Sequence, residues 1–378
     1  MTFMNILKVN ENLIFNLILL VFLLFGGISG QNLWFCWTST FLLSVLVLFT
    51  YFDKGKLTFP RTFSLYIVFL GFFLISLFWT KDMLVSIKHF LNFISGGLIW
   101  LLIHNLKDKG LKPNLPFLTI ALGIIFGLWF FYTRAFGIYV VESYNLVNYS
   151  VQNFTHHHVG DLWSVVAAVT GFSILKSRGK NIYLWLIAIF GLVLLALSFS
   201  RSAYVALASG GAYFLYKNSN YLKKNIFPIL VFTLIIGLFF AATSQKSLIG
   251  HRLFYVQAVS GIFKNPFGVG MGNFSTISLD STNHLFGIDA YAGVADNIFL
   301  EIFVGMGVFG LTFIYWFAET CREIFGKKGN FKELTSLIFV VLAVNFQFNY
   351  IYFIPTMLWL WFICIAVAVA KKNKRSNI

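Results

Sequence analysis

Long apolar runs separated by short polar interruptions follow one another along the whole chain. About 17–25 apolar residues cross the hydrocarbon layer of a bilayer as a helix, and runs at or just below that length predict spans here. The pattern predicts twelve: Leu13 to Ile28, Leu33 to Phe52, Phe63 to Trp79, Phe90 to Ile103, Phe117 to Tyr132, Leu162 to Leu175, Ile182 to Leu197, Ser202 to Tyr216, Ile226 to Ala242, Asn297 to Phe317, Leu334 to Phe348 and Tyr352 to Ala370. A closed β-barrel would show alternation with a period of two instead, which this chain lacks. The expected fold is an all-α polytopic integral membrane protein of about twelve transmembrane helices, one domain over residues 1–378. No internal repeat or low-complexity tract divides it.

Most connections are short, but Thr133 to Asp161 and Thr243 to Asp296 are long, and long ordered loops carry function more often than connectors do. Within the second, His251 to Phe263 reads as a short helix with Leu253, Val256, Val259 and Phe263 on one face. Such a helix lies along the membrane surface or caps the bundle. Asn265-Pro266-Phe267-Gly268-Val269-Gly270-Met271-Gly272-Asn273 then breaks it, because proline and repeated glycine favour turns.

Composition agrees with this pattern: 58% of residues are apolar and 11% charged, which excludes a water-soluble fold with a polar surface. The net charge of +15 is distributed as short loop clusters rather than on one face or arm, so it points to membrane topology and not to nucleic acid. With the N-terminus inside, all but seven of the 28 basic residues fall in inner loops and ends, which predicts both termini in the cytoplasm. The seven on the outer side are Lys81, Lys88, Arg134, Arg201, Lys246, Arg252 and Lys264, and topology does not account for them. Cys36, Cys321 and Cys364 have no spacing that suits zinc or a disulfide framework. The first apolar run, after Lys8, reads as an uncleaved span.

Candidate chemistry concentrates on the outer side. An arginine between two apolar runs, as in Ser198-Phe199-Ser200-Arg201, is tolerable only at the membrane rim, facing water or an anion. His156-His157-His158 with Asp161 is the most metal-like cluster, yet adjacent residues on a helix point in different directions and no His-x-x-x-His completes it. A polar, acceptor-facing role suits this cluster better than a metal. The Gly268-x-Gly270-x-Gly272 run has no preceding strand and no βαβ unit, so it is a turn and not a nucleotide fingerprint.

Three segments, in order, resemble the O-antigen ligase and O-antigen polymerase superfamily of bacterial envelope enzymes. They are Ser198-Phe199-Ser200-Arg201-Ser202-Ala203; Arg252 with the following helix and the run from Asn265 to Gly272; and Asp296-Asn297-Ile298-Phe299-Leu300-Glu301 followed by Gly305, Gly307 and Gly310. The resemblance covers about residues 182–317, including the outer loop 243–296. Ligases of the superfamily typically have His-Asn where this chain has Asp296-Asn297, and the Asp-Asn version looks more like a polysaccharide polymerase.

What the resemblance implies is a GT-C-like glycosyltransferase of the bacterial cytoplasmic (inner) membrane. It would transfer an oligosaccharide from an undecaprenyl-diphosphate carrier to a glycan or lipid acceptor, without cofactor or metal, beside other polysaccharide-assembly membrane proteins. A departing diphosphate gains negative charge, and arginine stays charged while gripping two oxygens. Arg201 and Arg252 are assigned that role; a helix-end or headgroup anchor is the alternative for each. Asp296 is the candidate base for the acceptor hydroxyl, with a helix N-cap as its alternative. Arg134, His156, His157, His158, Asp161, His284 and Asn297 are the expected substrate-binding residues, with His284 a possible stand-in for the missing histidine. A polyprenyl-glycan flippase or secondary transporter is the competing class, but transporters place ionisable groups near the midplane, whereas these charges lie at the rim.

Overall fold

A computed structural model of the protein describes residues 3–29, 32–135, 156–198, 200–218, 247–280, 295, 297–326 and 330–369, and among these no strand occurs. The helices are α1 (Phe3–Ser29), α2 (Leu33–Lys54), α3 (Phe63–Ser76), α4 (Met83–Leu106), α5 (Leu115–Ala135), α6 (His156–Lys176), α7 (Ile182–Ser198) and α8 (Arg201–Asn218). They continue with α9 (Ser247–Lys264), α10 (Phe274–Asp280), α11 (Ile298–Met306), α12 (Leu311–Phe325), α13 (Asn330–Phe348) and α14 (Pro355–Val369). Single 3₁₀ turns follow α3, α4, α11 and α13. Among the described residues six stretches are long and apolar enough to cross a membrane: Glu11–Ile28, Leu33–Lys54, Met83–Lys109, Leu115–Tyr132, His158–Lys176 and Ile298–Phe325. Four shorter apolar helices accompany them. The protein is a multi-pass, all-helical membrane protein.

α14 forms the axis. Its side chains are buried on every face from Pro355 to Ala366, as a helix that is apolar all round requires, and α1, α4, α12 and α13 surround it. Ring packing interlocks this group: Phe22 stacks on Trp359 at 4.6 Å, Tyr66 meets Phe362 edge-on at 5.2 Å, and Phe339 stacks on Trp361 at 5.7 Å. Lipid tails are as apolar as leucine, so close packing rather than expulsion of water holds such helices together. A second group joins α5, α6, α7, α8 and α13, with Trp163, Leu194 and Leu195 at its centre. The perimeter is apolar and open, with Trp34 79% and Phe78 87% exposed, a surface suited to lipid rather than water.

The two ends of the bundle differ. At one, Asn12 and Asn16 accept from the backbone N–H groups of Lys112 and Asn114, Lys54 pairs with Asp108 at 3.3 Å, and Lys109 pairs with Asp53. At the other gather the α3–α4 connection, the α7–α8 turn, α9, the glycine run and the end of α13.

Four spans differ most from the sequence expectation: α1 begins at Phe3 rather than Leu13, and α6 at His156 rather than Leu162, which draws the His156 to His158 series from the expected loop into the helix. α4 begins at Met83 rather than Phe90, because Asp82 caps it by accepting from the Val85 N–H, and this draws Lys88 into the helix. The span expected as Asn297 to Phe317 is broken: α11 ends at Met306, Gly307 takes a positive φ of 57°, and a 3₁₀ turn leads into α12, which runs on to Phe325. The opening admits the glycine run, whose Pro266 carbonyl accepts from Val308 N–H at 2.8 Å. The predicted span Ile226 to Ala242 lies outside the described residues.

The outer-loop helix α9 matches its expected face. Val256, Val259 and Phe263 are exposed, while Ala258 and Gly261 pack inward against a small core of Val269, Phe274, Ile277 and Val304; the Leu253 side chain lies outside the described residues. The run after it is a stitched turn. Gly268, Gly270 and Gly272 have φ of 84°, 92° and 78°, and the Val269 and Gly270 N–H groups donate to the carbonyls of Val304 and Gly305 at 2.9 and 2.8 Å.

At Gly270 both the left-handed backbone and the close approach exclude a side chain, since an added Cβ would lie 1.8 Å from Thr80 Oγ1. Gly270→Ala should therefore lower stability by about 2 kcal/mol or more, whereas Gly71→Ala, in α3 with open space around it, should not destabilise. Thermal unfolding of the purified variants in detergent reads the difference.

Candidate active site at the outer-loop end of the bundle

The turn between α7 and α8 is built by its serines. Ser200 ends the turn and caps α8, its Oγ accepting from Ala203 N–H at 3.4 Å, and Tyr204 OH closes the turn by donating to the Leu195 carbonyl at 2.8 Å. Arg201 is thereby the first residue of α8 and is exposed. Its guanidinium and the partial positive charge of a helix N-terminus fall at the same place, a pairing that favours an anion.

Asp161 anchors the turn from below. Its carboxyl group, fully buried in α6, accepts from Ser200 Oγ at 2.9 Å and Ser202 Oγ at 2.6 Å on one oxygen, and from Asn349 Nδ2 at 2.6 Å on the other. Contact this close is possible because Gly160 precedes it: a Cβ there would lie 2.3 Å from Ser198 Oγ. Asn345 adds bonds from Nδ2 to Ser164 Oγ at 2.9 Å and to the Asp161 carbonyl at 3.3 Å, so the last turn of α13 and the residue after it are tied to α6 by three bonds. His158, one turn before Asp161, is buried and meets the ring of Tyr350 edge-on at 4.8 Å.

Gln347, on the same stretch of α13, reaches the other two segments. Asn297 caps α11, its Oδ1 accepting from Phe299 and Leu300 N–H at 2.9 and 3.0 Å, while its Nδ2 donates to the Gln347 carbonyl at 3.2 Å and Gln347 Oε1 at 3.0 Å. The Gln347 carbonyl also accepts from Tyr255 OH of α9 at 3.1 Å, and Tyr255 lies three residues, nearly one turn, beyond Arg252. Glu301 completes the frame. Fully buried in α11, it accepts from Gly272 N–H at 3.0 Å and Ala295 N–H at 2.9 Å, which holds the glycine run and the residue before Asp296 to one carboxyl group.

The sequence-predicted residues thus separate. Arg201, His158, Asp161 and Asn297 belong to one hydrogen-bonded end of the bundle, where Asp161 serves the turn and Asn297 serves the cap. Arg134, His156, His157 and Arg252 lie in α5, α6 and α9, their side chains outside the described residues; Asp296 and His284 lie outside them altogether. The cap of α11 is Asn297 and not Asp296, the position to which the alternative reading assigned it. Among the described residues no three His, Cys, Asp or Glu side chains converge as a metal site would need. Sequence reasoning missed Asn345, Gln347 and Asn349. Their signal was present: an Asn-Phe-Gln-Phe-Asn series closing an apolar span is costly unless each amide finds a partner.

Removing the Asp161 carboxyl takes the shared acceptor from two serine hydroxyls, which retain only their 2.9 Å bond to each other, and orphans the Asn349 amide, so Asp161→Ala should lower stability by about 2–3 kcal/mol. In a double-mutant cycle Ser202→Ala and Asn349→Ala should be non-additive by about 1 kcal/mol, while Asn12→Ala at the far end should add independently to either. Denaturation in detergent measures both.

No curated protein matches the chain. Residues 186–315 match the family model described as O-Antigen ligase. That stretch holds the α7–α8 turn, α9, the glycine run and α11, the same segments that carry the resemblance. Over that stretch, about a third of its length, the chain is similar to the O-antigen ligase family.

Proposed function

We propose that the protein polymerises a surface polysaccharide, using undecaprenyl-diphosphate-linked oligosaccharide at the outer face of the bacterial cytoplasmic membrane. The single observation that supports this is the hydrogen-bonded chain through the end of α13: Asn349 holds Asp161 and with it the turn bearing Arg201, and Gln347 holds both Asn297 and the helix bearing Arg252. Residues 1–378 form one integral domain of twelve spans with a GT-C-like architecture, both termini in the cytoplasm, in keeping with the inner-loop lysines and arginines.

In the reaction the acceptor hydroxyl oxygen attacks the anomeric carbon as the bond from that carbon to the diphosphate oxygen breaks. The diphosphate departs with the bonding electron pair, and Arg201 and Arg252 stabilise its growing charge. Asp296 takes the hydroxyl proton, which raises the nucleophilicity of the oxygen at neutral pH. Its neighbour Ala295 donates its N–H to Glu301. Arg134, His156, His157 and His284 are assigned to glycan binding in this reading, while buried His158 supports the site from within. The donor and the acceptor are both lipid-linked glycans in this reading. Transfer to lipid A core or another acceptor is the second reading, favoured by the description of the matching family as a ligase; the aspartate before Asn297 supports polymerisation.

Arg201→Ala and Arg252→Ala should each lower glycan extension by about 10²-fold or more, with membrane insertion unchanged. Asp296→Asn should lower the rate without weakening donor retention. Extension of a lipid-linked repeat by purified enzyme in proteoliposomes reads these effects, and normal extension in both arginine variants overturns the mechanism. Deletion of the gene in its host separates the two readings: acceptors bearing a single repeat indicate a polymerase, and long unattached polymer indicates a ligase.

A further inference from the structure

Two lysines on the outer side, Lys81 and Lys264, are unexplained by topology and have no part in the chemistry above. They come from distant parts of the chain, the α3–α4 connection and the last turn of α9, yet they line one open cleft of about 550 Å³. That volume lies within the range of small-ligand sites. Trp79, Phe267 and the backbone of residues 265–269 make the remaining walls.

The cleft is a built one. Trp79 Nε1 donates to the Phe267 carbonyl at 2.9 Å and Lys81 N–H to the Val269 carbonyl at 3.2 Å, so the α3–α4 connection is hydrogen-bonded to the glycine run along one wall. On the opposite side the Pro266 carbonyl accepts from Val308 N–H at 2.8 Å. Phe309 packs behind, its ring centroid 6.0 Å from that of Trp79 and 6.1 Å from that of Phe267.

Its surroundings define the ligand. Phe78 and Phe263, one beside each lysine-bearing segment, are 87% and 81% exposed, a degree of apolar exposure suited to acyl chains. Tryptophan at the cleft wall marks the headgroup level. A freely soluble anion would meet no use for that apolar rim, whereas a molecule with an anionic head and a hydrocarbon body matches both parts. Ammonium groups bind phosphate as point charges without demanding a planar fork.

We infer that the cleft lined by Lys81, Lys264 and Trp79 is a binding site for the phosphate headgroup of a membrane-embedded lipid, separate from the Arg201 turn. The inference does not depend on the proposed polymerase reaction, because it concerns lipid retention and not turnover. The phosphate could come from a bilayer phospholipid or from a polyprenyl carrier, and both are tested.

The full-length protein would be extracted in mild detergent after reconstitution with phosphatidylglycerol or with undecaprenyl phosphate, and retained lipid counted by native mass spectrometry. Lys81→Gln/Lys264→Gln should retain about thirty-fold less phosphate lipid than the unaltered protein, and Lys81→Arg/Lys264→Arg should retain it. Loss confined to phosphatidylglycerol assigns a bilayer headgroup; loss confined to undecaprenyl phosphate assigns a carrier lipid; loss of both assigns the shared phosphate. Equal retention of both lipids with and without the two lysines overturns the inference. So does an equal loss in Lys176→Gln/Lys180→Gln, at the other end of the bundle, since retention would then track net charge alone. An unchanged gel-filtration profile shows that the altered proteins remain folded.

Discussion

A carboxyl group enclosed among helices must find donors inside the protein, because neither lipid nor water reaches it. Asp161 meets that need with two serines and an amide, and the arrangement of one end of the bundle follows from it. The serines belong to the α7–α8 turn and the amide to the end of α13, so the bonds that satisfy the carboxyl also fix where those elements meet α6. Arg201 sits between the two serines and inherits its position from them. A charged residue at a rim is tolerated on almost any membrane protein. A rim arginine whose flanking residues are clamped to a buried acid is held to one place.

The second buried acid works in the same way on another part of the chain. Glu301 gathers backbone donors from the glycine run and from Ala295, and so joins α11 to the outer loop. Between the two acids the last turns of α13 present amides toward both, Asn345 and Asn349 toward α6 and Gln347 toward Asn297 and Tyr255. In such a network each bond supports its neighbours, which ties these elements of the outer-loop end to one another. The apolar half of the bundle has a different basis. Around α14 the helices are held by ring packing, and the polar groups there mostly bond within their own helix or to a nearby carbonyl.

This division suits the proposed reaction on a lipid-linked glycan. The bilayer-embedded part needs shape and durability, and close packing supplies most of both. In that reaction the end assigned to the diphosphate needs fixed charge, since preorganised donors stabilise a transition state without rearranging when it forms. Long loops at that end would be a poor foundation by themselves. Here residues 266–270 of the glycine run are anchored by backbone bonds to α11, to the turn after it and to the α3–α4 connection, which makes the run part of the scaffold.

Helix content and the order of the elements were legible in the sequence, because apolar length and hydropathy are local properties. The face of α9, the turn at the glycine run and the position of Arg201 beside a helix start could be read in the same way. Where a local signal was overridden, a neighbour did it: Asp82 extended α4 backwards over Lys88, and the glycine run opened the expected single span at Gly307. The partners of Asp161, the role of Glu301 and the amide series of α13 were decided only by tertiary structure. Asn349 and Asp161 stand 188 positions apart along the chain, and no periodicity links them. Hydropathy records how costly a buried polar group is, but which distant residue relieves that cost depends on how the helices are packed.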